Sequence, residues 1–182
     1  LLYNDIYNYP ASASEKIVNT LDTLKNQLTA SGKEVFIYEL LQNANDYPQK
    51  ISGKKQPVDV EFHITDNYLV FQHSGDYFDA KNIAAICSIN DKEKTDNSEA
   101  IGYKGIGFKT VFLDNNYVLL KTGPYSFRFD YEQTKNIDDT PWQILPIWTD
   151  DDEVDDEVLD IMDNADKKFL VQIALRPTEA DI

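Results

Sequence analysis

The chain has 182 residues, with 17 Lys and Arg against 32 Asp and Glu and a formal net charge of -15. This is the length of one ordinary domain, and 42% hydrophobic residues with 11 Tyr and 9 Phe can build a core, which excludes a disordered tail. The acidic balance would repel a phosphate backbone and argues against nucleic acid as partner, while one Cys and two His exclude a disulfide framework and a Cys/His zinc site.

No run approaches the roughly 18 to 20 apolar residues of a membrane span, and the N-terminus lacks a signal peptide's basic region, so a soluble, cytoplasmic protein with no membrane contact is expected. A start without Met and an end without a closing element predict that residues 1–182 form a single domain of a longer polypeptide. In chain order, Ile17, Val18, Leu21, Leu24 and Leu28 have helical spacing between residues 11 and 30. A second helix is expected from about 33 to 46, stopped by Tyr47-Pro48. Residues 58–65 and 68–72 read as a hairpin turned at Asp66-Asn67. A helix capped by Asp79 should follow over 79–89, then a polar loop over 90–100. The glycine-rich residues 102–107 lead into a short helix at 108–112, and 117–121, 125–131 and 142–148 read as consecutive strands. Residues 150–166 form an acidic insertion or loop anchored by Val154, Val158, Leu159, Ile161 and Met162, before a last strand at 169–175. Helices first, strands later and antiparallel hairpins predict an α+β fold, a two-layer α/β sandwich with a mostly antiparallel sheet and helices on one face.

Three features bear on chemistry. On a wheel of roughly 100° per residue, Asn43 lies near 40° and Asp46 near -20° from Glu39, opposite Phe36, Ile37, Leu40, Leu41 and Ala44. Such a stripe reads first as a solvated face; the absence of Lys or Arg between Val35 and Tyr47 weakens that reading and leaves open the other, a general base one turn from an amide that suits a cation. Next, Gly102, Gly105 and Gly107 place three of the seven glycines within six residues, a phosphate cradle or else a flexible turn. The order G-x-x-G-x-G is neither a dinucleotide fingerprint nor a P-loop, since Phe108 separates Gly107 from Lys109. The third, His73-Ser74-Gly75 at the end of an apolar strand, is by itself an ordinary strand-to-helix turn.

In this order the three features resemble the GHKL, or Bergerat-fold, ATPases, the family of gyrase B subunits, ninety-kilodalton heat-shock chaperones, histidine kinases and MutL. Glu39, Asn43 and Asp46 match the helix motif E-x-x-x-N-x-x-D, and Gly102, Gly105, Gly107 and Phe108 match the glycine box G-x-x-G-x-G-F. Residues 101–112 with Ala85-Ile86-Cys87-Ser88-Ile89 look most like the sacsin and NO VEIN group. His73 stands where the family carries the Asp that receives the adenine amino group, and residues 168–171 have no counterpart to the family's late strand Thr.

The resemblance implies ATP and Mg²⁺ as cofactors and an ATP-hydrolysing domain that drives conformational change in a larger chaperone-like, signalling or defence protein. Glu39 would be the catalytic base and Asn43 the Mg²⁺ ligand; Asp46, His73 and Gly75 would line the base and ribose pocket. Gly102, Lys104, Gly105, Ile106, Gly107, Phe108 and Lys109 would hold the phosphates, with residues 90–100 as a lid. Implied partners are the nucleotide, the rest of the polypeptide and a second copy in an ATP-dependent homodimer. The alternative is a pseudo-ATPase that serves as a structural or interaction module.

Overall fold

A computed structural model describes residues 35–88, 104–137 and 141–178. The expected helix at 11–30, the loop at 90–100 and Gly102 lie outside these residues. Helix α1, Val35–Asp46, buries Leu40 and Ala44 and rests Phe36 and Leu41 on the same core, an i, i+4, i+8 stripe that the wheel anticipates. A short hairpin follows, β1 (Lys50–Ile51) with β2 (Lys54–Lys55), turned at Ser52-Gly53 with φ of 51° and 77°. Two positive φ values in succession are the signature of a type I′ turn, in which glycine at the second position is unstrained.

Strands β3 (Val60–Ile64) and β4 (Leu69–His73) form the expected hairpin, with Phe62 opposite Phe71. Helix α2, Ala80–Ile86, begins at Asp79, whose carboxylate accepts the amides of Lys81 and Asn82 at 2.9 and 2.8 Å while Asn82 Oδ1 accepts from Asp79 N–H. Helix α3 spans Lys104–Lys109 and runs into a 3₁₀ turn at Thr110–Phe112. Part of the glycine-rich stretch is therefore helix itself and not only the loop before one. Strands β5 (Asn115–Thr122) and β6 (Tyr125–Asp130) pair across Gly123, and the four-residue helix α4 (Tyr131–Thr134) follows.

Residues 142–148 do not make the single strand read from their aromatic and branched residues. Trp142–Ile144 is a 3₁₀ turn and only Ile147–Trp148 (β7) joins the sheet, because Pro146 has no N–H to give a ladder. The acidic segment likewise is not simply a loop: after a 3₁₀ turn at Asp151–Glu153 it forms helix α5, Asp156–Asp163. Strand β8, Val171–Pro177, closes the sheet.

The sheet has six antiparallel strands in the order β3-β4-β8-β5-β6-β7, so β8 is threaded between two hairpins. The fold is α+β with a mostly antiparallel sheet, consistent with a two-layer sandwich. Strand alternation separates the two faces. Phe71, Val118, Leu120, Phe129, Ile173 and Leu175 face the layer of α1, α2 and α3. Val70, Tyr117, Leu119 and Ala174 face the other way, where Val154, Val158 and Met162 of the acidic segment cover them. Among the described residues no helix is long and apolar enough to cross a membrane.

Candidate functional site

The helix layer brings the helix motif and the glycine box into contact. A Cβ added to Gly107 would collide with Glu39 Oε2 and lie 3.1 Å from Glu39 Cδ, so the carboxylate lies directly on the glycine's backbone. A side chain at 107 would displace it. Partial burial raises the Glu39 pKa, and the negative charge of Asp46 two turns along the same stripe raises it further. A carboxylate held that way keeps more affinity for a proton than one in open water, which is the property of a general base.

Asn43 lies one turn from Glu39 and lines a cleft of about 20 Å³ with Tyr47, Phe78, Asn82, Ala85, Ile86 and Phe108. That volume holds about one water molecule. Asn82 Nδ2 donates to Tyr47 Oη at 3.0 Å and ties α2 to the end of α1 across the cleft. A magnesium ion takes hard oxygen donors and keeps several waters, and an amide oxygen from Asn43, one turn from the Glu39 carboxylate, is a donor of that kind. Among the described residues no group of three or more His, Cys, Asp and Glu is placed to hold a metal by itself. An ion at Asn43 would need ligands from elsewhere, such as the oxygens of a phosphate.

The turn after β4 is pinned from several sides. Ser74 N–H donates to Asp59 O and Ser74 Oγ accepts from Asp59 N–H, while Gln49 Nε2 donates to Ser74 O. Asp76 N–H donates to Tyr47 O at 2.6 Å, and a Cβ on Gly75 would stand 2.7 Å from that same carbonyl. Gly75 is thus required by close approach to α1. Asp46 is exposed at the end of α1, next to this turn.

His73 is 1% exposed and lies on the core face of β4 between Phe71 and Phe78, with ring centroids 5.7 and 6.2 Å away. Its Nδ1 accepts from Gly75 N–H at 3.1 Å, so in the neutral ring the proton is on Nε2, which has no hydrogen-bond partner. Burial pushes its pKa down to about 4. An unperturbed histidine titrates near 6.5; desolvation removes that behaviour here and keeps the ring neutral between about pH 5.5 and 8. Nε2 is also a donor and not the acceptor that an amino group would need.

Lys109 is placed away from the role its sequence position implies. Its Nζ donates to Ile86 O and, at 2.9 Å, to Gln143 O, and it stands 5.3 and 5.8 Å from the ring centres of Phe112 and Phe129. The ammonium is therefore spent on the C-terminal end of α2 and on the 142–144 turn. Burial pushes its pKa down to about 7. Phe108 is buried in the same core, and Lys104, Gly105 and Ile106 lie in the backbone of α3. Cys87 packs as an apolar residue at the end of α2, its thiol pushed up to about 11 by burial.

Nothing in the linear sequence marks His73 as a buried donor, and little marks Lys109 as an internal strut, because both depend on tertiary packing. The apolar neighbours Phe108, Val111 and Phe112 are the one signal that the Lys109 stem enters the core. Compared with known protein families, the chain matches none. It is similar to Protein NO VEIN of Arabidopsis thaliana, 32% identical over 100 residues. That match takes in 54% of this chain and 4% of the NO VEIN protein.

Proposed function

We propose that this chain is a Mg²⁺-dependent ATP-binding and ATP-hydrolysing domain of the GHKL type, one part of a larger protein whose conformation it drives. The observation that carries the reading is the Glu39 carboxylate lying on Gly107. A general base and a glycine-box backbone, 68 positions apart, meet at the point where a terminal phosphate and its attacking water would have to meet. The similarity to NO VEIN, within the group that the glycine-box residues resemble, supports the same reading.

In this mechanism Glu39 accepts a proton from water at its Oε2, and burial, with the like charge of Asp46 behind it, keeps the carboxylate basic. Asn43 would hold the Mg²⁺, which would supply positive charge to neutralise the phosphates. The backbone of α3 approaches the phosphates because its glycines carry no side chain. His73 would meet the base with its Nε2–H, a donor suited to a ring nitrogen or carbonyl, so adenine and guanine should be discriminated weakly.

A second reading, a pseudo-ATPase module, is favoured by the narrow cleft and by the engagement of Lys109 with two carbonyls. The two readings part in a thermal-shift scan with ATP, ADP and GTP, each with and without Mg²⁺, beside an assay of phosphate release. Stabilisation by Mg²⁺ and ATP with phosphate release is expected. Stabilisation without release would favour the module. No shift with any nucleotide would contradict nucleotide binding altogether.

A further inference from the structure

On the sheet face opposite α1 and α3, a groove of about 470 Å³ opens between the edge strand β3, strand β4 and the C-terminal half of α5. Glu61 and His63 of β3, Gln72 of β4, and Asp160, Asn164 and Asp166 at the end of α5 line it. Register brings the first three together: Glu61 lies opposite Gln72 and His63 opposite Val70, so alternation aims all of them at this face.

Gln72 is the buried polar side chain of the groove. It is 0% exposed, and its Oε1 accepts from Gln172 Nε2 at 2.6 Å. Gln172 Nε2 also donates to Met162 O at 2.9 Å, and this fixes which end of each amide is which. Gln72 Nε2 is left buried with no hydrogen-bond partner. A buried donor without an acceptor is destabilising, and it marks a place where an acceptor belongs.

The rim supplies the opposite requirement. Glu61, Asp160 and Asp166 bring three carboxylates, and His63 Nε2 is 3.3 Å from Glu61 Oε2. Lys168, the cation close by, is engaged with Asp59 at 2.9 Å. No group of His, Cys, Asp and Glu among the described residues has the arrangement of a metal site. A bare cation would leave Gln72 unsatisfied; a cation carried on a peptide brings carbonyls with it.

We propose that this groove binds an arginine side chain presented on a peptide, with the guanidinium among the carboxylates and a peptide carbonyl accepting from Gln72 Nε2. Guanidinium suits the site better than ammonium because its planar fork can bond several acceptors at once and is more weakly hydrated. Ile161 in the wall offers apolar contact to the methylene stem. The proposal is independent of nucleotide chemistry on the other face.

The test titrates the 182-residue chain with N-acetyl-arginine-N-methylamide, its neutral citrulline analogue and spermine, while the side-chain amide signals of Gln72 are followed by NMR. The arginine probe should shift those signals saturably and bind about tenfold tighter than the citrulline probe. Asp160→Asn, at an exposed position, should weaken arginine binding about two- to fivefold. Gln72→Met, close in volume and without the donor, should weaken the arginine probe and leave guanidinium chloride unaffected; if that variant does not fold, Asp160→Asn decides. Equal binding of arginine and citrulline probes, an unmoved Gln72 amide, or spermine binding as tightly as the arginine probe would overturn the proposal.

Discussion

The two faces of the sheet handle buried charge in opposite ways. Behind the sheet Arg128 has matching anions, lying 3.8 Å from Asp130 and 3.4 Å from Glu153, and Arg176 stacks on Tyr117 near Tyr68, whose hydroxyl donates to Asp155. Under the helices, Lys109 is surrounded by carbonyls and aromatic rings with no carboxylate paired to it among the described residues, His73 has one nitrogen unpartnered, and Glu39 faces a like charge. A buried ionisable group left without a counter-charge shifts its pKa, and such groups in a cleft are candidates for chemistry. The contrast is an argument for the proposed nucleotide site on the helix side that does not depend on the motif.

The largest break in that contrast should come from Gly107→Ala. The new Cβ would push away the far end of the flexible Glu39 side chain, a small cost, and alanine in a helix gains up to about 1 kcal/mol over glycine. Stability should hold or rise while ATP turnover falls by about a hundredfold, as expected when a catalytic group is misplaced by an ångström. Denaturation and phosphate-release assays on the same preparation check this. A loss of stability with turnover retained would place Glu39 elsewhere.

His73 sharpens the contrast through pH. Its folded pKa of about 4 lies below the ordinary 6.5, so the unfolded chain binds the extra proton first and folding stability falls as pH drops from 6.5 toward 4. The shift corresponds to about 3 kcal/mol. His73→Asn keeps an acceptor for Gly75 N–H and does not titrate, so urea denaturation at pH 7 and pH 4.5 should show a flatter profile for the variant. Parallel profiles would mean that the ring is not buried neutral.

Lys109→Met removes two charge-assisted hydrogen bonds from the core and should cost roughly 2–3 kcal/mol, visible in the denaturation midpoint. A change below about 0.5 kcal/mol would indicate an exposed ammonium. On the back face, Tyr68→Phe removes the bond to Asp155 and should cost about 1 kcal/mol with turnover unchanged. Lost turnover there would erase the division between the faces.

What could be read in advance follows the range of the interactions. The β3-β4 hairpin, the Asp79 cap and the polar stripe of α1 rest on neighbours within a few residues, and each was legible. The 142–148 strand was misread because β propensity outweighed Pro146. The back-face helix was half legible: Val154, Val158 and Met162 have helical spacing, but acidic composition masked what they cover. The Ser52-Gly53 hairpin carried a turn dipeptide with little apolar sequence on either side to draw notice. For the site, the motif spacing picked out Glu39 and Gly107 but not their contact, and position alone gave Lys109 and His73 surroundings that long-range packing replaced.

The central claim is that Glu39 acts on water and not on nucleotide binding, and Glu39→Gln tests it most directly. Phosphate release and calorimetric ATP affinity should be measured on wild type and variant in Mg²⁺. The account predicts release slowed by about 10²- to 10⁴-fold with affinity changed by no more than about twofold. Equal release in the two proteins would contradict it.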